Sequence, residues 1–377
     1  MTGPRCSGPR PSRCALTELL ADHTTLRVGG PAARWIEATT TEALVAAIAD
    51  ADAAGEPVLV LSGGSNVLVA DAGFDGVVVH VATSGVSTDG GTFCEIDADA
   101  VGPTGDGASC GGILVEVQAG ENWDDFVAWT VAQGYIGVEA LSGIPGAVGS
   151  TPIQNVGAYG QEVAQTIWSV RTWDRRDRTY RTFANADCDF SYRHSRFKAE
   201  PGRYVVVSVT FQFLQGSLGA PIRFGELARR LEVEAGGRAP LVDVRDTVLA
   251  LRRGKGMVLD ADDHDTWSAG SFFTNPIVDA EVAALLPQDA PRFPTEDGRV
   301  KSSAAWLIEH AGFAKGHGTP PATLSSKHTL ALTNRGGAKA ADIVALAREV
   351  RDGVRERFGV TLVPEPVFVG VELDPAP

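Results

Sequence analysis

The stretch Ser142–Gly160, SGIPGAVGSTPIQNVGAYG, constrains this chain more than any other. It is too rich in glycine for the interior of a helix or strand, and too ordered in composition for a plain linker. Gly143, Gly146, Gly149, Gly157 and Gly160 recur at short intervals. Each removes a Cβ, so the backbone turns sharply or another molecule approaches it closely. Between them Ser142, Ser150, Thr151, Gln154 and Asn155 supply hydroxyl and amide hydrogen bonds without formal charge. Such a surface suits a long, polar, partly anionic cofactor whose phosphates are held by consecutive backbone N–H groups. Taken alone, the same residues also describe a glycine-rich surface loop.

The 377 residues suffice for about two to three domains and more than one core. Lys plus Arg number 33 against 47 Asp plus Glu, a net charge of -14. That argues against nucleic acid as a generic partner, because phosphate backbones reward a basic surface. It leaves room for a locally basic pocket that binds a small anion. The five cysteines, Cys6, Cys14, Cys94, Cys110 and Cys188, include no C-x-x-C pair, so neither a disulfide framework nor a zinc site is expected. Of the seven histidines, those at 80, 194, 264, 310, 317 and 328 lack metal-ligand spacing, and no metal is expected. The first 20 residues, rich in Pro, Arg, Ser and Gly, read as a disordered tail without a signal-peptide core. No apolar run is long enough to span a bilayer, so a cytoplasmic protein with no membrane partner is expected.

Along the chain, a helix over Thr41–Ala54 lies between an R-V-G-G-P turn with a short apolar segment (Leu26–Ala38) and the strands Pro57–Leu61 and Gly76–Val81, a β-α-β order. Strands follow at Phe93–Ile96 and Ile113–Gln118, separated by an Asp/Gly-rich hairpin insertion at Asp97–Gly112. The spacing predicts a helix over Glu121–Gln133 and strands over Ile167–Trp173 and Arg203–Phe213. A composition break at Leu214–Ala220 marks a domain boundary. Beyond it helices are expected at Phe224–Glu234, Asp243–Arg253, Ser303–Ala311 and Asp342–Phe358, then a strand at Val367–Val371.

Several short motifs bear chemistry. Ser62-Gly63-Gly64-Ser65-Asn66 follows a buried strand, the end at which α/β sheets bind ligands, although a tight turn has the same composition. No G-x-G-x-x-G follows a strand, which argues against a Rossmann site. Ser191–Lys198 (SYRHSRFK) interleaves aromatics with cations; it could present a guanidinium to a carboxylate, or be a solvated basic edge. Its S-x-x-K spacing, Ser195 to Lys198, raises a weak acyl-transfer reading without the companion motifs. Arg252, Arg253 and Lys255 end a helix, where cations suit the macrodipole, yet four positive residues within Arg245–Lys255 could also bind a diphosphate. Ser271 lies between Gly270 and two phenylalanines, and Glu365 is held between two prolines. Asp260–Asp265 reads as a solvated acidic run.

In this order the motifs resemble the UDP-N-acetylenolpyruvoylglucosamine reductases, the MurB flavoenzymes. The marks are TTLRVGGP around Arg27, SGGSN at Ser62, the glycine stretch at Ser142, SYRHS at Ser191, GSFFTNP at Gly270 and PEPVF at Pro364. The resemblance implies an α+β chain: two α/β subdomains binding FAD in a PCMH-type fold, over 21–213 and split near 82–90, then an α+β substrate domain over 221–360. A strand within 361–377 would return to the flavin part. It implies non-covalent FAD held by Arg27, Ser62, Gly63, Gly64, Ser65, Asn66, Ser142, Gly143, Ile144, Pro145, Gly146, Ser150, Thr151, Asn155 and Gly157. It also implies NADPH as reductant and a UDP-sugar substrate bound by Tyr192, Phe224, Arg252, Lys255 and Asn275, on a monomer. Hydride would pass from NADPH to FAD and on to an enolpyruvyl double bond. Arg193 and Glu365 would stabilise the enolate-like charge, and Ser271 would protonate the carbon. Many relatives carry tyrosine where this chain has Phe224, which puts diphosphate affinity in question. An oxygen-using oxidase of the same fold and a catalytically silent flavin or nucleotide-sugar binder are the competing readings.

Overall fold

The computed structural model describes residues 18–88 and 112–374. The strand expected at Phe93–Ile96, most of the Asp97–Gly112 insertion, and the tail through residue 17 lie outside the described residues.

The N-terminal part is a three-stranded parallel sheet. Val58–Leu61 and Ala32–Ala38 flank Phe74–Val81, in the order 1-4-2 of the first four strands. The helix Thr41–Ala54 makes the crossover. Thr40 caps its start by accepting from the Ala43 N–H, and Gly55 ends it at φ 68°. Leu44 and Ile48 are fully buried from its inner face, as their helical spacing predicts. The short apolar segment after Pro31 proves to be the first strand, its β character masked by Arg34 and Glu37 on exposed faces.

An antiparallel sheet follows, built from Thr179–Ala184, Ile167–Asp174, Tyr204–Gln215, Ile113–Gln118 and Val86–Thr88. The helix Trp123–Ala132 covers it, and Trp123, Phe126, Phe211 and Phe213 interlock at 0 to 1% exposure. The strand Thr179–Ala184 escapes sequence reading because only Phe183 of its six residues is buried, so no alternation shows.

Past the composition break, Gly225–Arg230 and Leu241–Gly254 form a small core with Ala140 and Ile222. The first is shorter than expected because Glu232 takes a left-handed conformation, φ 56°. Ala304–His310 and Ala340–Phe358 share a larger core that also takes in Leu26, Val28 and Leu68 from the N-terminal part. Gly359, at φ 69°, closes the long helix.

The last strand, Val367–Val369, pairs in parallel with Val67–Val69. It stops two residues earlier than its apolar run suggests because Gly370 turns at φ 68°. This pairing brings residue 365 beside the Ser62–Asn66 loop. The same segment is zipped to 272–274: the Glu365 N–H donates to the Phe272 carbonyl at 2.8 Å, and the Thr274 N–H to that of Val363 at 3.0 Å. Three segments distant in sequence thereby converge on one place.

Candidate active site

That place is a cavity of about 320 Å³. The two glycine loops form one wall by touching backbone to backbone: a Cβ on Gly63 would lie 2.5 Å from the Gly146 Cα. Gly64 sits at φ 56°, and a Cβ there would fall 1.9 Å from the His23 carbonyl oxygen. Gly64→Ala is therefore expected to cost about 3 kcal/mol or more in stability, from backbone strain plus overlap. It should also deplete bound flavin. Chemical denaturation and the flavin-to-protein absorbance ratio would check both.

Gly143, at φ 71°, is fixed from outside the loop. Asn122 caps the helix that starts at Trp123, and this sets Asp124 to accept the Gly143 N–H at 2.6 Å. Arg245 clamps the same carboxylate with two hydrogen bonds of 2.7 and 3.0 Å. Burial would raise the Asp124 pKa, but the Arg245 and Gly143 hydrogen bonds outweigh it and hold the carboxyl below its ordinary value. Arg245, one of the four clustered cations, thus serves the glycine loop.

Of the expected flavin residues, Ser62, Gly64, Ser65, Asn66, Ile144, Pro145, Ser150, Thr151 and Gly157 line the cavity. Ser142 lies behind it, fully buried, with its hydroxyl donating to the Glu139 carbonyl. Asn155 is also buried and structural: its amide donates to Glu162 and to the Ser191 carbonyl. Arg27 is exposed and stacks over Trp267 at 4.2 Å, away from the cavity wall.

Arg193, Ser271 and Glu365 all line the same cavity. Arg193 occupies the third position of a four-residue turn closed by Ser191 and His194, at φ 54°. Its guanidinium donates to the carbonyls of Gly157 at 2.7 Å and Asn155 at 3.3 Å. Its Nε lies 3.2 Å from a Glu365 carboxylate oxygen but out of hydrogen-bond alignment. Burial raises the Glu365 pKa above the ordinary carboxylate value, against the opposing pull of Arg193 and Lys198. The Ser271 hydroxyl makes no hydrogen bond to another described residue. Gly270 beside it, at φ 71°, leaves open space where a side chain would stand.

Ser195 rules out the acyl-transfer reading. Its hydroxyl caps the short helix Arg196–Ala199 and donates to the Ile153 carbonyl at 2.5 Å. The Asp260–Asp265 run is not solvated as a whole, because Asp265 is buried against Ser326 and Arg335.

Arg252 also lines the cavity, with its Nε buried and unpartnered. Burial lowers its pKa to about 10, so it is charged at neutral pH. Lys255, in contrast, faces a neighbouring cleft of about 750 Å³ with Arg230, Lys315 and His328. Its ammonium pairs with Glu226 at 2.7 Å. Burial, together with Lys255 and Lys315, lowers the His328 pKa to about 4, which leaves its ring neutral. Phe224 is 40% exposed and meets Tyr159 edge-on at 5.3 Å. The Tyr192 hydroxyl accepts from the Asn275 N–H at 3.4 Å, while the Asn275 side chain accepts from the Ala304 N–H at 3.0 Å. Sequence reasoning named Gln154, bonded to Asn66 at 2.9 Å, among the polar residues of the glycine stretch but missed the apolar pair Trp123 and Met257 as lining residues.

The site fits a flavin on its own evidence: two glycine loops packed so closely that a Cβ on Gly63 or Gly64 would strike backbone, and a buried guanidinium Nε with no hydrogen-bond partner among the described residues. The charged residues lining the cavity are three cations and one carboxylate. An FAD binding domain family model matches residues 32–182. Fold and site together define a two-part flavin-binding oxidoreductase with a third, C-terminal domain. The model of the UDP-N-acetylenolpyruvoylglucosamine reductase C-terminal domain matches 262–369. The reductase of that name from Cutibacterium acnes is 59% identical over 93% of this chain and 89% of its own length. The one from Streptomyces coelicolor is 55% identical over 94% and 90%. The crystal structure of the Thermus caldophilus enzyme superposes with a TM-score of 0.60 at 25% identity, covering 93% of this chain and 97% of that one. The chain belongs to the UDP-N-acetylenolpyruvoylglucosamine reductase family.

Proposed function

We propose that this chain reduces UDP-N-acetylglucosamine enolpyruvate to UDP-N-acetylmuramate, for peptidoglycan precursor synthesis, at the expense of NADPH. The observation that carries the reading is the convergence of Arg193, Ser271 and Glu365 on a cavity walled by two glycine loops. FAD, held by the Ser62–Asn66 and Ile144–Gly157 walls, supplies the means to accept a hydride from NADPH and deliver it to the enolpyruvyl double bond.

The protein's task is to make an alkene accept hydride. The charge left on the carbon next to the carboxylate must be spread into that carboxylate, as in an enolate. Arg193 meets it with a fixed positive charge. Glu365, whose burial favours the protonated form, would donate a hydrogen bond in that form. Ser271 gives its hydroxyl proton to the carbon; a serine is a weak acid, but the carbanion is a strong base once water is excluded. The cleft at Lys255, where Arg230, Lys255, Lys315 and Lys327 stand with Glu226, Asp246 and Glu309, offers cations for the diphosphate, for which the Glu226 carboxylate must yield. We further infer a cytoplasmic monomer; no described helix is long and apolar enough to cross a membrane. Light scattering after gel filtration would check the monomer.

The raised Glu365 pKa sets a sign. The neutral form is needed, so the rate should fall as pH rises through that raised value. The folded state also binds this proton more tightly than the unfolded chain. Its contribution to stability is therefore greatest below the ordinary carboxylate pKa and is lost as pH rises toward the raised one. Glu365→Gln, which keeps a donor, should lower the rate about tenfold and abolish this alkaline limb. A pH–rate profile of both proteins would check it. The function itself is tested by NADPH consumption that depends on the enolpyruvyl sugar, with a product heavier by two hydrogens. Consumption that persists with oxygen alone would favour an oxidase.

A further inference from the structure

The S-x-x-K spacing left one residue without a role. Lys198 lines the cavity, and its ammonium donates to the Arg193 carbonyl at 3.0 Å. It makes no ion pair with a described residue. The Ser195 cap starts the helix Arg196–Ala199 and so turns Lys198 back toward the turn that carries Arg193. That turn is strained, because Arg193 stands at φ 54°, where glycine or asparagine is favoured over a long side chain. The main-chain hydrogen bonds between Ser191 and His194 close the turn, at 3.1 and 3.2 Å, but leave the Arg193 carbonyl free.

We propose that Lys198 is a positioning residue for the reduction of the enolpyruvyl group. Its ammonium pins the Arg193 carbonyl, holds the turn in its left-handed form, and so keeps the guanidinium on the Gly157 and Asn155 carbonyls, facing Glu365. The ammonium also adds a second positive charge on the side of the cavity where Arg193 and Glu365 meet. This inference rests on the function proposed above.

The test uses the full-length holoprotein, reduced anaerobically with dithionite and mixed with UDP-N-acetylglucosamine enolpyruvate in a stopped-flow instrument. If the wild-type flavin is not reoxidised, the proposed function fails and the role of Lys198 falls with it. If it is, Lys198→Met should slow reoxidation at saturating sugar at least about tenfold, with the half-saturating concentration moving less than about threefold. Lys198→Arg, which keeps the charge and a donor, should recover to within about threefold of wild type. In a crystal structure of Lys198→Met, Arg193 should leave its left-handed φ and the Gly157 carbonyl. Should the Met variant melt more than about 5 °C early, Lys198→Gln replaces it. The positioning role is overturned by a saturated rate within threefold of wild type, by a loss confined to the half-saturating concentration, by failure of Lys198→Arg to recover, or by an unchanged Arg193 turn.

Discussion

Ser271→Ala is expected to slow reoxidation of the reduced flavin by the enolpyruvyl sugar about 1,000-fold while bleaching by NADPH stays close to wild type. The hydroxyl is committed to no other described residue, and Gly270 opens the space in front of it, so its removal takes away a proton donor and little structure. The folded state should lose less than about 0.5 kcal/mol, since no buried hydrogen bond is broken. Stopped-flow measurement of each half-reaction separates the two effects. Equal slowing of both would mean that Ser271 shapes the cavity instead of supplying a proton, and no slowing of either would remove Ser271 from the chemistry.

Arg193→Met should lower the rate at saturating sugar about 100- to 1,000-fold and raise the half-saturating concentration as well. The guanidinium touches the Gly157 and Asn155 carbonyls and faces the Glu365 carboxylate. Arg193→Lys should not restore the rate, because an ammonium cannot reproduce a planar fork that contacts two carbonyls while facing a carboxylate. Steady-state kinetics of the two variants, with flavin content measured alongside, would check this. Near-wild-type turnover by the lysine variant would reduce the role of Arg193 to charge alone.

Much of this was legible in the sequence, for reasons that differ by element. The long C-terminal helix was readable because Ile343, Leu346, Val350 and Val354 recur at helical spacing and all are buried, with Gly359 left-handed behind them. The glycine loops were readable because glycine reports a backbone demand that is purely local. Thr179–Ala184 was not, since an edge strand with one buried residue carries no alternation. The contribution of Lys198 was hidden too: nothing in SYRHSRFK says that the ammonium reaches the Arg193 carbonyl until the Ser195 cap and the left-handed turn fold it back. Likewise Arg245 and Arg252 look alike in sequence, yet one clamps Asp124 and the other keeps a free Nε in the cavity wall. The two share one face of the helix Leu241–Gly254, and the difference is position along it: two turns separate the arginine that reaches Asp124 from the one at the cavity wall, a tertiary fact. Asp265 made the opposite error possible: an acidic run looks solvated until Ser326 and Arg335 arrive from the far end of the chain.

In the proposed reaction one cavity takes electrons from NADPH and gives them to an enolpyruvyl sugar. Its most direct test is an anaerobic spectral titration of the purified chain reconstituted with FAD. The expected result is a flavin band that bleaches on adding NADPH and returns, with equimolar product, on adding UDP-N-acetylglucosamine enolpyruvate. A band that bleaches but returns only when oxygen is admitted, or a protein that retains no flavin at all, would contradict it.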